Sequence, residues 1–219
     1  MKQDIRRENI ILFAVEGLKL IVLIAAMLLF SLQPSLAQDR ADHPAPPKIL
    51  MGLSADYLVP TRFSNDIETI SLHAFFRKLN FKKIRIRINA GVTVSHAWGY
   101  SRQWEEIRPS VWLGTDYATE ATGAGPAVQI EQALLELNRF SIHAEASGGC
   151  LVYDRTFPFG GDHYNFMFRT GGSIGYKIGN SWSLLVGYRW MHVSNGKGTG
   201  NQNPYYEAKG ISVGFCITR

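Results

Sequence analysis

The chain has 219 residues and a net charge of +5, and charged residues make up 19% of it, below the roughly 25% typical of soluble domains. Its 21 glycines exclude a coiled coil, and its two cysteines are too few for an all-cysteine zinc site or a disulfide-rich scaffold. The modest positive charge is weak evidence for a nucleic-acid partner, and we expect none.

The first 37 residues are typical of an export signal. Lys2, Arg6 and Arg7 form a basic start, residues 20–30 are an uncharged apolar run, and small residues precede position 38. The apolar run is shorter than the roughly 20 residues that a membrane-spanning helix needs, although the long basic start leaves an uncleaved inner-membrane anchor as the alternative. We predict a signal peptide over 1–37, a Pro-rich linker over 38–48 and one β-barrel domain over 49–219.

Strands dominate the rest of the chain, because apolar and polar residues alternate there with a period of two. Nine segments are candidate strands: 49–58, 67–77, 82–98, 108–117, 127–137, 139–152, 163–178, 181–194 and 206–217. A bacterial single-chain barrel has an even number of strands, and eight fits the length best. The short segments 49–58 and 108–117 are therefore the least secure of the nine.

The two faces of these strands differ as they do in a membrane barrel. In 182–195 the even positions are mostly large and apolar, such as Trp182 and Trp190, whereas the odd positions include Gly187 and Arg189. Apolar residues facing lipid around an interior of Gly, Ser and mid-strand Arg predict an all-β protein, an antiparallel transmembrane β-barrel. A soluble periplasmic sandwich is the alternative.

Charged residues on the interior face need partners, because an unpaired buried charge is costly. Arg85, Arg87 and Arg169 lie on the interior face of their strands, and so does Glu145. We predict that these arginines pair with Glu145 inside the barrel.

The end of the penultimate strand carries a candidate catalytic group. Turns in such barrels are short on the periplasmic side and long on the extracellular side, so the long segment 196–206 is expected outside the cell. His192 and Ser194 then continue the lipid-facing row at the outer end of their strand, and Glu207 lies across the loop on the same face. A hydroxyl nucleophile, an imidazole base and a carboxylate are the groups of a serine esterase.

Oxyanion donors are available next to this group. Asn195 and the backbone N–H groups of the Gly196 turn follow the candidate nucleophile directly. No His-Glu-x-x-His zinc motif occurs in the sequence, and we expect neither a metal nor a cofactor. The alternative is that His192 and Ser194 are only polar residues at the membrane interface.

Several stretches of the chain together resemble one family. They are GYRWMHVSN at 187–195 with Asn203-Pro204 after it, HAEASGG at 143–149, YDRTFP at 153–158 and YNFMFRTGGSIGY at 164–176. From about residue 107 onward, the chain resembles the lipid A 3-O-deacylase family of bacterial outer-membrane barrels. The resemblance implies an eight-stranded barrel that removes an ester-linked acyl chain from the 3-position of lipid A without a metal.

The resemblance also implies residue roles and a partner. The family's catalytic His and Ser correspond to His192 and Ser194, its oxyanion Asn to Asn195, and its acid to Glu207. Lys197 is a candidate contact for the phosphates of lipid A. The partner is then lipopolysaccharide in the outer leaflet of the outer membrane, and a homodimer stays open. The alternatives are an outer-membrane phospholipase with the same triad and a non-catalytic structural or adhesive barrel.

Overall fold

The computed structural model describes residues 51–62, 65–81, 84–178, 181–196 and 204–217. Eight strands lie in these residues: β1 (Met51–Pro60), β2 (Asp66–Phe81), β3 (Ile86–Arg108), β4 (Val111–Leu137), β5 (Phe140–Phe157), β6 (Asp162–Lys177), β7 (Trp182–Ser194) and β8 (Tyr206–Ile217). Each pairs antiparallel with the next, and β1 pairs with β8 to close a barrel. The prediction of an eight-stranded antiparallel barrel is confirmed.

The predicted signal peptide and the Pro-rich linker lie outside the described residues. Among the residues that the structure does describe, no helix is long and apolar enough to cross a membrane.

The separate strand predicted over 108–117 is wrong, because residues 111–117 and 127–137 belong to one long strand, β4, and Arg108 is the last residue of β3. The strand β3 also runs ten residues beyond its predicted end at 98. Residues 118–126 are small apart from Glu120 and include two glycines and a proline, a composition that favours a turn. In the barrel they stay extended because they pair with β3 as part of β4. A Cβ at Gly125 would lie 1.7 Å from the carbonyl oxygen of Cys150. Glycine here marks a close backbone approach rather than a turn.

The alternation of faces predicted from the sequence is confirmed. In β7 the side chains of Arg189, Met191 and Val193 are buried inside the barrel, whereas Tyr188 is 55% exposed on the outside. In β8 the outward Ile211 is 61% exposed. Exposed apolar side chains of this kind form the surface that a membrane barrel presents to lipid.

One end of the barrel has the features of the extracellular side. At the opposite end the strands are joined by short connections at 82–85, 138–139 and 178–181. The extracellular end instead carries the long connection 195–205 and the extended tips of β3 and β4. Because periplasmic turns are short and extracellular loops are longer, the ends of β7 and the start of β8 lie on the extracellular side.

The extracellular half of the barrel interior is packed with apolar side chains. This outer core consists of Leu58, Ile67, Leu151, Tyr153, Phe157, Met167, Met191, Val193, Tyr206 and Ala208, all at most 2% exposed. The hydroxyls of Tyr153 and Tyr206 lie 3.2 Å apart within it. The periplasmic half contains a cavity of about 840 Å³. The outer core therefore gives β7 and β8 a rigid backing where they carry the candidate catalytic residues.

A network of buried charges lies below the outer core. Arg169 binds Asp56 through two contacts of 2.5 and 3.2 Å and lies 3.1 Å from Glu145. Arg189 also pairs with Glu145, and His73 lies 3.3 Å from Asp56. Each buried charge therefore has an opposite partner, as burial in a barrel requires.

The predicted arginine partners are correct for Arg169 alone. Arg87 instead pairs with Glu131 and Glu136, each at 2.9 Å, nearer the periplasmic end. Arg85 lies in the turn before β3 with a φ of 54°. The parity of a residue, that is, its odd or even position along the strand, assigns its side chain to a face of the barrel. The height of the residue along the barrel axis decides which opposite charge the side chain can reach.

Candidate functional site

His192 and Glu207 form a direct pair on the outer surface of the barrel. They are register partners on the adjacent strands β7 and β8, and the Nδ1 atom of His192 lies 3.3 Å from Oε1 of Glu207. Their side chains are 34% and 29% exposed. With Nδ1–H donating to the carboxylate, the Nε2 atom keeps the lone pair that a general base needs.

Thr61, directly after β1, supports the carboxylate of this pair. Its hydroxyl donates to Oε2 of Glu207 at 3.4 Å, and its backbone N–H donates to the carbonyl oxygen of Glu207 at 2.9 Å. The two residues are 146 positions apart in the sequence. Sequence reasoning missed Thr61, because only the closure of the barrel between β1 and β8 brings it to Glu207.

The imidazole of His192 lies between two aromatic rings. The Trp190 ring is 6.2 Å away at 28°, and the Tyr205 ring is 5.5 Å away at 25°. The carbonyl of Tyr205 accepts a hydrogen bond of 2.7 Å from Asn65, whose Oδ1 in turn accepts one of 2.9 Å from the backbone N–H of Arg102. Tyr205 was also missed, although it shares the parity of Glu207 and could have been assigned to this face.

Ser194 lies on the same outward face of β7 as His192, two residues further along. That spacing is about 6.6 Å along a strand, so the two side chains are neighbours. Ser194 is in register with Phe166 of β6, which is 54% exposed. Next to it, Phe168 and Trp190 meet edge to face with centroids 6.1 Å apart. The candidate nucleophile therefore lies beside an apolar strip that faces the membrane.

The side chain of Asn195 points away from Ser194. It is 2% exposed, and its Nδ2 atom lies 3.3 Å from Oδ2 of Asp162 at the start of β6. Gly196 is exposed, with a φ of 74°. Lys197 lies outside the described residues. The structure thus brings His192, Ser194 and Glu207 to one face, while the amide of Asn195 is directed to the other.

A second histidine–carboxylate pair on the barrel provides a comparison. The Nε2 atom of His96 on β3 lies 3.7 Å from Oε1 of Glu120 on β4. The residue two positions after His96 is Trp98, so this pair has no hydroxyl nucleophile at the position that Ser194 occupies on β7. Among the described residues, no group of three or more His, Cys, Asp or Glu side chains could hold a metal ion.

The chain is similar to one protein family and to several solved structures. A family model described as lipid A 3-O-deacylase (PagL) matches residues 82–215, more than half of the chain. A crystal structure of the outer-membrane enzyme PagL is 18% identical, with 76% of this chain and 98% of that chain covered and a TM-score of 0.48. Neisserial surface protein A is 11% identical, with coverages of 78% and 96% and a TM-score of 0.47.

The β domain of a Bordetella autotransporter is 9% identical, with coverages of 78% and 99% and a TM-score of 0.30. No curated protein matches the chain. The residues matched by the family model include His192, Ser194 and Glu207.

Proposed function

The chain belongs to the lipid A 3-O-deacylase family of outer-membrane hydrolases, and we propose that Ser194, His192 and Glu207 carry out its ester hydrolysis. The observation that carries the proposal is the 3.3 Å contact between His192 and Glu207 on the membrane-facing surface. Ser194 follows on the same face, and the substrate of the family lies in that membrane. The mechanism therefore works on the outside of the barrel wall and not in its interior.

In the first half of the reaction Ser194 is the nucleophile. Its Oγ attacks the carbonyl carbon of the 3-O-linked acyl ester, while Nε2 of His192 takes the hydroxyl proton. Glu207 accepts the hydrogen bond from Nδ1–H and stabilises the imidazolium that forms. The tetrahedral intermediate collapses when the bond to the sugar oxygen breaks. His192 gives its proton to that oxygen, which leaves the acyl chain on Ser194.

In the second half a water molecule replaces the sugar. His192 takes a proton from the water as it attacks the acyl carbonyl, and returns a proton to Oγ of Ser194 as the fatty acid leaves. The deacylated lipid A and one fatty acid are the products, and the enzyme returns to its starting state.

Backbone amides at the end of β7 are the proposed oxyanion donors. The buried side chain of Asn195 is engaged with Asp162, so we assign its contribution to the backbone N–H rather than to the amide group. The N–H of Gly196 is the second donor. Lys197, the next residue, is the proposed contact for a lipid A phosphate.

The apolar strip beside Ser194 is the proposed path of the acyl chain. Phe166, Phe168 and Trp190 present aromatic surface toward the membrane directly along β6 and β7. A chain lying on these rings stays in the bilayer while its ester reaches Oγ of Ser194. The substrate then needs no exit from the membrane before hydrolysis, which lowers the cost of binding a lipid.

The direct test is mass spectrometry of lipid A from cells that make the wild-type chain or the Ser194→Ala variant. We expect loss of one hydroxyacyl mass with the wild type and an unchanged spectrum with the variant. Migration before and after boiling shows that both barrels are folded. Hydrolysis that continues in the folded Ser194→Ala protein would overturn the mechanism.

Phospholipid vesicles without lipid A test the phospholipase alternative with the same protein. Release of fatty acid from these vesicles at a rate matching that from lipid A would replace the substrate assignment but not the triad. Sedimentation in detergent distinguishes a monomer from the homodimer that the sequence leaves open.

A further inference from the structure

The tips of β3 and β4 extend past the barrel wall as a two-stranded ribbon, formed by residues 101–108 and 111–118. Pairing of β2 with β3 ends at Asp66 and Tyr100, while β3 and β4 stay paired out to Arg108 and Val111. Eight residues of extended chain span about 26 Å. The ribbon therefore rises from the same extracellular end of the barrel that carries the candidate catalytic residues.

The inner face of the ribbon is anchored at its base. Its contacts converge on Phe159 in the connection between β5 and β6. Gln103 Nε2 donates to the carbonyl of Phe159 at 2.9 Å, and the hydroxyl of Ser101 donates to the same oxygen at 3.4 Å. The ring of Tyr117 stacks on that of Phe159 at 4.2 Å and 7°. These contacts fix which face of the ribbon points away from the barrel axis.

The outer face of the ribbon exposes two tryptophans among charged groups. Trp104 and Trp112 are 61% and 57% exposed. The Arg102 guanidinium lies 5.9 Å from the centre of the Trp104 ring and binds Asp116 through two hydrogen bonds of 2.7 and 2.8 Å. This face continues the lipid-facing parity of Tyr100 on β3, so it is continuous with the surface that contacts the membrane.

The charged side chains of the ribbon exclude a location in the hydrocarbon core of the bilayer. Residues 101–118 include Arg102, Glu105, Glu106, Arg108 and Asp116, and charged side chains facing lipid are costly in the bilayer core. Directly above the lipid of the outer leaflet lies the phosphorylated saccharide of lipopolysaccharide, which is attached to lipid A and absent from isolated lipid A. Flat indole faces suit the apolar faces of sugar rings, and arginine suits phosphate and hydroxyl groups.

We propose that the outer face of the ribbon binds the saccharide portion of lipopolysaccharide. This inference deepens the proposed function, because it adds a subsite for the part of the substrate that extends out of the membrane. Binding there would raise the local concentration of long-saccharide substrate at the barrel, and isolated lipid A would not use it.

The first experiment measures binding without catalysis. Saccharide released from lipopolysaccharide by mild acid is titrated into the refolded full-length barrel by calorimetry. We expect the double variant Trp104→Ser/Trp112→Ser to weaken binding at least about tenfold, as two aromatic contacts warrant. The matched control is Leu113→Ser, which removes an exposed apolar side chain from the opposite face of the ribbon and should bind as the wild type does.

The second experiment compares kcat/KM on lipopolysaccharide and on isolated lipid A. The double variant should lose about tenfold on lipopolysaccharide and stay within about twofold on lipid A. Equal losses on both substrates, no loss on either, or wild-type protein that does not bind saccharide would each overturn the proposal. A change of sedimentation in the double variant would show that the ribbon contacts a second copy instead.

The two experiments separate this proposal from the catalytic one. If the Ser194 mechanism fails, saccharide binding by the wild type and its loss in the double variant still decide the role of the ribbon. If the ribbon proposal fails, hydrolysis of lipid A and its dependence on Ser194 are unaffected.

Discussion

Replacing Glu207 by glutamine should slow hydrolysis measurably but far less than replacing Ser194 by alanine. The substitution removes the negative charge and keeps the size of the side chain. It therefore leaves the hydrogen bond to Nδ1 of His192 geometrically available, while the imidazolium formed in the transition state loses its counter-charge.

The size of the effect follows from the distance and the exposure of the pair. Unit charges about 4 Å apart attract by about 4 kcal/mol at an effective dielectric constant of 20 and by about 1 kcal/mol in water. The Nδ1–Oε1 distance is 3.3 Å, and the side chains of His192 and Glu207 are 34% and 29% exposed. We expect a loss of about 1–3 kcal/mol, which is about 5- to 150-fold in kcat. A fully buried triad carboxylate would cost about 10⁴-fold.

The assay is release of fatty acid from lipid A in detergent micelles by refolded wild type, Glu207→Gln and Ser194→Ala. The matched control is Glu120→Gln, which alters the other histidine–carboxylate pair on the outer surface and should leave kcat unchanged. A loss below about threefold would remove Glu207 from the mechanism. A loss as large as that of Ser194→Ala would show that the pair works in a much drier environment than its exposure indicates.

Three further predictions concern groups around the site and in the interior. Tyr205→Ala and Asn65→Asp should each lower kcat for fatty acid release several-fold, whereas Tyr205→Phe should not, because its phenyl ring still stacks on the imidazole of His192. Wild-type kcat in both Tyr205→Ala and Asn65→Asp would contradict this. Asn195→Ala and Asp162→Ala should each lower kcat by less than about tenfold, because each removes only the contact between the two side chains. A loss of about 10²–10³ in kcat that is confined to Asn195→Ala would instead show that the Asn195 side chain is an oxyanion donor. Arg169→Met should lower the free energy of unfolding by about 3–5 kcal/mol, since it leaves two buried carboxylates without their shared cation. Urea titration of the refolded barrel measures this change, and a midpoint equal to that of the wild type would contradict it.

The packing of the interior supports the site that we propose on the outer surface. The outer core fills the extracellular half of the barrel with side chains that are almost fully buried. Met191 and Val193 belong to this core and alternate along β7 with His192 and Ser194. The same strand is therefore held rigidly on its inner side while it presents reactive groups on its outer side, as a preorganised site requires.

Parity in the sequence was sufficient to assign faces. The period of two is a local property of an extended chain, so the outward positions of His192, Ser194 and Glu207 could be predicted without knowing which strands pair. The eight-stranded architecture followed from length and from the even number of strands. The family followed from the motif around His192 and from further stretches between β4 and β8.

Strand ends and partners could not be predicted in this way. The extended ribbon and the unbroken β4 depend on cross-strand hydrogen bonds, which override the turn preference of a segment rich in small residues. The Asn195 side chain points inward because Asn195 has the odd parity of the interior residues Met191 and Val193, and the sequence motif by itself does not show this. Its partner Asp162 is 33 residues away and is set by the register of β6 against β7.

The local pattern of residues was enough to identify the side chains that face the membrane, because alternation along an extended chain does not depend on which strands pair. Which side chains meet, on the outer surface or in the interior, depends on the closed fold. Thr61 reaches Glu207 across 146 residues because closure of the barrel places β1 beside β8. Arg169 on β6 reaches Asp56 on β1 across 113 residues because the closed wall brings these strands together around one interior. Such contacts depend on register and shear around the whole barrel, and these are global quantities that no local pattern of residues encodes.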